Sequence, residues 1–153
     1  MLGRPELFLG TPANEIAPAF SPDGRWIAYV SDDSGTPEIF VASFSNPAAH
    51  WQVSNAGGTY PIWSRHGELL YRGSDERIVA VPYSAQGDAF MPRKARRWSE
   101  FAVPLTGAQS PWDLAPDGKR IAAVVPGSED TPSSRLVLLM NFTDELQRRS
   151  QGK

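Results

Sequence analysis

Two histidines, three adjacent carboxylate pairs between predicted strands, one basic cluster and a few loop aromatics are the side chains here whose types and spacing could do chemistry. His50 and His66 are too few for a typical catalytic zinc site, and neither lies in an H-E-x-x-H pattern. With no cysteine, the sequence excludes thiolate ligands, Cys nucleophiles and disulfides, and redox compartment cannot be read from it. The carboxylate pairs are Asp32-Asp33, Asp75-Glu76 and Glu129-Asp130. Solvated turn residues are the plain reading; a weak Ca²⁺ site, or an acidic ring that attracts a cationic partner, is the sharper one. Glycosidase chemistry would hold two carboxylates about 5–9.5 Å apart across a sugar, and nothing in the spacing favours that. Arg93-Lys94-Ala95-Arg96-Arg97, followed by Trp98, suits a charged edge strand that discourages edge-to-edge pairing. A nucleic-acid groove would need further basic and aromatic patches, and 15 Lys+Arg against 17 Asp+Glu leave no positive excess to displace counterions from phosphate. No catalytic residue, metal, cofactor or nucleic-acid partner is expected.

What must position these residues is a repeat. Phe20-Ser21-Pro22-Asp23-Gly24-Arg25-Trp26-Ile27-Ala28-Tyr29-Val30-Ser31 recurs from Trp63 to Ser74 and again from Leu114 to Val125. The glycines Gly24, Gly67 and Gly118 lie 43 and 51 residues apart, a period that carries several strands and is the signature of propeller blades. In each copy Pro-Asp-Gly, or its variant Arg65-His66-Gly67, makes a hairpin turn: Pro fixes φ, Asp bonds nearby backbone, and Gly supplies the positive φ. Asp23, Gly24, His66, Gly67, Asp117 and Gly118 are therefore assigned structural turn roles. The 14 Pro and 13 Gly in 153 residues fit many short elements joined by tight turns.

The rest of each period supplies two more strands, at 38–44 and 51–54, then 77–83 and 97–101 after a longer loop, then 135–140. The expected fold is all-β and spans residues 1–153. Strand 7–9 completes a blade, blade 1 runs about 16–54, blade 2 about 60–101 and blade 3 about 110–142, followed by a short helix at 143–149. Phe20, Trp26, Tyr29, Phe40, Trp51, Trp63 and Tyr71 are expected in inter-blade core. Closed propellers need about four to eight blades. Three blades make a half propeller, which two copies would complete as a six-bladed ring, strand 7–9 of one chain edging the third blade of the other.

Pro18 to Ser31 and Glu38-Ile39-Phe40-Val41 resemble the PD40 repeat of TolB-type, WD40-like β-propellers. The stretch from Trp51 through Gly57-Gly58-Thr59 to Trp63-Ser64 is also similar to the propeller region that follows the kinase domain in some bacterial serine/threonine kinases. The resemblance covers nearly the whole chain and departs at Arg65-His66, which replace Pro-Asp, and at Leu114, which replaces the aromatic. It implies a binding scaffold, a gating domain or a sensor module, with periplasmic or extracytoplasmic relatives. Kinase motifs and the G-x-S-x-G elbow are missing.

Tyr60 and Trp112 lie where the chain enters the first strand of a blade, at the face where a propeller channel opens. With Asn14, Glu15, Gln109 and Asp113 they form the candidate ligand or partner contacts. The reading is a non-enzymatic protein-interaction or ligand-binding module that partners itself, with another protein or small ligand at the channel mouth. The alternatives are a propeller-based lyase or hydrolase, or a sensor fragment of a truncated kinase or peptidase. Asp113 is the carboxylate on the innermost strands beyond the loops leading into them, which is poor equipment for acid–base work. The N-terminus has no signal-peptide pattern and no apolar run approaches the roughly 20 residues of a membrane span, so a soluble chain without membrane insertion is expected.

Overall fold

The computed structural model describes residues 4–107, 110–126 and 135–140, and every regular element among them is a β-strand. The first sheet runs β1 (Glu15–Phe20), β2 (Trp26–Ser31), β3 (Glu38–Ser43) and β4 (His50–Gln52), each antiparallel to the next. The second holds β5 (Gly58–Ser64), β6 (Glu68–Gly73), β7 (Arg77–Gln86), β8 (Ala89–Pro92) and β9 (Arg96–Ala102), with both β8 and β9 paired to β7. The third is β10 (Trp112–Leu114), β11 (Arg120–Val125) and β12 (Arg135–Met140).

Side chains alternate between the two faces of each strand, and the sheets pack by that alternation. Trp26, Ala28, Val30, Ile39 and Val41 leave the first sheet on the side of the second and meet Leu69, Tyr71, Val81 and Phe90. Leu70, Ile78 and Ala80 leave the second sheet on its other face, with Trp98, and meet Trp112, Ile121 and Ala123 of the third. Direct bonds reinforce the stacking. The Trp63 indole Nε1 donates to the Ala19 carbonyl at 2.9 Å, and His66 Nε2 donates to the Asp117 carbonyl at 3.1 Å.

The repeated turns form as their residues dictate, with Gly24, Gly67 and Gly118 all at φ between 68 and 77°. The ungapped match of the copies is nevertheless off by one residue in the second. Ser21 and Trp26 bracket the first turn, as Ala115 and Arg120 bracket the third, whereas Ser64 pairs directly with Glu68. Ile27 therefore corresponds to Leu69 and not to Leu70. A one-residue slip exchanges the two faces of a strand, so it reassigns every side chain of β6.

Two further expectations change. Residues 84–92, read as loop, extend β7 and add β8 through a tight turn at Gly87-Asp88. Phe20, expected in the core, is 59% exposed, and Tyr29 and Phe40 face away from the second sheet toward Phe8 and Leu9. Residues 7–9, expected to edge the third blade of a second copy, pair with no strand among the described residues of the single chain. The helix expected at 143–149 and the end of the third unit at 142 lie outside the described residues.

Candidate binding groove

The first strands of the three sheets, β1, β5 and β10, line one groove of about 790 Å³. Its walls include Ala17-Pro18, Tyr60-Pro61 and Trp112-Asp113. Two of these walls share a backbone device. The pairing of β1 with β2 shifts register between Ile16 and Ala19, and that of β5 with β6 between Thr59 and Ile62. Within each bulge the residue before proline, Ala17 or Tyr60, sits at φ 53°. Left-handed backbone costs a residue with a Cβ about 1–2 kcal/mol, and bulges re-aim the side chains they carry. Non-glycine residues held there cluster at functional sites.

Of the six residues expected to make contacts, the structure brings three together. Tyr60 is half-buried at the seam between the second and third sheets. Trp112 is 4% exposed, packed in that seam as much as in the groove wall, and its buried indole N–H has no acceptor among the described residues. Asp113 is exposed, its carboxylate accepting the Leu114 N–H at 2.8 Å.

Asn14 and Glu15 are used elsewhere. The Asn14 side-chain amide and backbone N–H donate to the Asp32 carboxylate at 2.7 and 2.8 Å, and these bonds hold Asp32 below the usual carboxylate range. Glu15 accepts from the Thr11 hydroxyl and borders a hollow on the open face of the first sheet. Gln109 lies outside the described residues.

The remaining chemistry-bearing residues are turn and edge residues. Desolvation pushes the Asp23 carboxyl up, but the Ser21 hydroxyl, the Arg25 N–H and the Arg25 charge together hold it below its ordinary value. The Lys119 N–H, outweighing slight desolvation, and Arg120 do the same for Asp117. Asp75 lies 3.6 Å from both Arg77 and Arg97, and Glu76 pairs with Arg72 at 2.7 Å. Arg96 meets Glu68 at 2.8 Å, so much of the basic cluster is neutralised along the sheet edge. No three His, Asp or Glu residues come together as a cation site among the described residues. Among those residues, too, no helix is long and apolar enough to cross a membrane.

Two clamps escaped the sequence reading. Buried Glu38 accepts from the Ser54 hydroxyl and from the Gly57 N–H at 2.9 Å, fixing the connection that leads into β5 and Tyr60. In the second sheet buried Arg72 holds the Val103 carbonyl at 2.6 Å. Neither belongs to a local motif, and the groups they clamp lie 16 to 31 residues away, so no pattern within β3 or β6 marks them. The open face of the first sheet carries a further apolar hollow of about 310 Å³, walled by Phe8, Leu9, Phe20, Tyr29 and Phe44.

Comparison with known proteins agrees in part with the resemblance read from the repeats. No family model matches the chain. A TolB homologue of Chlamydia muridarum is 39% identical over 56 residues, 29% of this chain and 13% of the relative. A TolB homologue of Chlamydia trachomatis is 41% identical over 56 residues, with the same shares. The match thus spans about an eighth of the length of these relatives. The crystal structure of TolB from Acinetobacter baumannii superposes with a TM-score of 0.44 and 18% identity, covering 92% of this chain and 44% of that one. Over part of its length, the chain is related to TolB.

Proposed function

We propose that the chain is a non-enzymatic interaction module: three blades of a TolB-like propeller, closed into a six-bladed ring by a second copy, with the Tyr60–Trp112–Asp113 groove as its contact surface. One observation carries this reading. Each outer face of the stack leaves a large apolar side chain open to solvent at a position whose equivalents inside the stack are buried. Phe20 is 59% exposed where its counterpart Trp63 is 8% exposed. Leu136, opposite Val124, is 77% exposed where Ile39 and Ile78, in the same register, are fully buried.

A blade's leading face meets the trailing face of the next, so the free pair is complementary by repetition. A two-fold pairing would cover both at once. The groove supports binding over acid–base chemistry, since its described walls set one carboxylate, one phenol and the Ser110 hydroxyl among prolines, Trp112 and aliphatic side chains. Light scattering on the full chain at micromolar concentration tests the closure, with an expected mass of twice 16.8 kDa. A folded monomer throughout that range would show that something other than a second copy covers these faces.

A further inference from the structure

The third blade has three strands among the described residues, and the first two blades show what a fourth strand does. In blade 1, β4 pairs along β3 and places Trp51 against Phe90 of the following blade, ring centres 6.0 Å apart. In blade 2, β9 pairs along β7 and places Trp98 in the seam with blade 3. Each fourth segment also brings a serine whose hydroxyl accepts a buried N–H of the third strand: Ser54 from Ile39 at 2.7 Å, and Ser99 from Ile78 at 3.0 Å. Leu136 of β12 holds the same register as Ile39 and Ile78.

The segment before β1 has the features β12 lacks. Phe8 and Leu9 lie on the open face of blade 1 against Tyr29, Phe40 and Ala42, with Phe8 stacked 5.9 Å from Phe44. Phe8 thus sits against the blade that follows it in the chain, as Trp51 does. The spacing also agrees: Phe8 precedes Ala17 by nine residues, and Trp51 precedes Tyr60 by nine. Ala17 and Tyr60 are the two residues at φ 53° in equivalent bulges. Three residues after each aromatic comes a hydroxyl, Thr11 or Ser54. Leu7 meanwhile is 85% exposed and pairs with no strand among the described residues.

We propose that residues 7–9 of one copy form the fourth strand of the third blade of a second copy, in antiparallel pairing with its β12. The register of β3 with β4 sets Leu7, Phe8 and Leu9 opposite Leu139, Leu138 and Val137. Thr11 then takes the place of Ser54 at the Leu136 N–H. The exchange is reciprocal, so the ring is latched twice. This inference rests on closure by a second copy and goes beyond it by naming the latch.

Directly opposed residues of an antiparallel pair have Cα atoms about 4.5–5.5 Å apart, within disulfide reach, and the chain has no cysteine of its own to interfere. Leu7→Cys and Leu139→Cys chains, mixed and oxidised, are expected to give a disulfide-linked pair containing one of each. Neither variant alone should cross-link, and the double variant should give a doubly linked dimer. Leu9→Cys with Val137→Cys repeats the test one register position away, should the first pair fold poorly. A dimer by light scattering with no cross-link in either pair overturns the latch and leaves the closure standing. A monomer without cross-links overturns both. A disulfide within one chain means the segment folds onto its own third blade, which overturns the exchange.

Discussion

In the first sheet, Trp26, Ala28 and Val30 point one way while Ile27 and Tyr29 point the other, and the two sides have met different fates. On one side Trp26 is packed against Trp51 and Phe90, with Trp63 and Tyr83 completing an aromatic cluster whose centre, Trp26 and Phe90, is buried. On the other, Phe20 and Phe44 meet edge to face, 5.4 Å apart, around a hollow only partly roofed by Phe8 and Leu9. The strands, their residue types and their turns are the same for both sides. Apolar alternation makes a face fit for burial; where no neighbouring sheet covers it, Phe8 and Leu9 shelter Tyr29 and Phe40 but leave Phe20 and Phe44 open.

Substitutions at matched depth break this comparison most directly. Trp26→Ala, on the covered side, is expected to cost about 3–5 kcal/mol in denaturant unfolding. Phe20→Ala should cost under about 1 kcal/mol at concentrations where single chains predominate, because water already reaches its ring. Equal losses would mean that the two faces do not differ as described.

The carboxylates sharpen the same contrast. Glu38 is buried beside the covered side and satisfies two donors of the connection to β5. Glu38→Ala should cost about 3 kcal/mol, since it strands a buried hydroxyl and a half-buried N–H. A loss below about 1 kcal/mol would mean that water takes its place. Asp32, half-buried at the edge, is held low by Asn14, so its contribution is complete above the ordinary carboxylate range and is lost as pH falls through and below that range. Urea midpoints measured from neutrality into acid should fall less steeply for Asp32→Asn than for the parent chain. Parallel curves would show that the Asn14 bonds do not persist in solution.

Much of this architecture was legible in the sequence because turns announce themselves locally: Pro22-Asp23-Gly24 and Pro116-Asp117-Gly118 need no partner to specify a reversal. The register of β6 was not legible. Leu69 and Leu70 are both apolar, so a one-residue shift leaves the pattern looking equally good. The β7–β8 hairpin was hidden for a related reason, since Ser84-Ala85-Gln86 leaves the apolar alternation before the strand ends. At the groove, position in the repeat sufficed to bring Tyr60, Trp112 and Asp113 together. It could not reveal that Asn14 is spent on Asp32, because that bond joins residues 18 apart on different loops. Nor could it reveal the left-handed backbone at Ala17 and Tyr60, since the residue before a proline ordinarily prefers extended conformations.

The hairpin turns, four residues long in the first and third sheets and three in the second, also say where this chain can change length. A residue lost inside a strand inverts everything downstream of it in that strand, a lesion that a core of interlocked rings cannot absorb. A residue lost between Ser64 and Glu68 has been absorbed, because β6 re-pairs with both faces intact. Length drift is therefore expected to collect at these tips. They are the places to graft a binding loop or an epitope without disturbing the stack beneath.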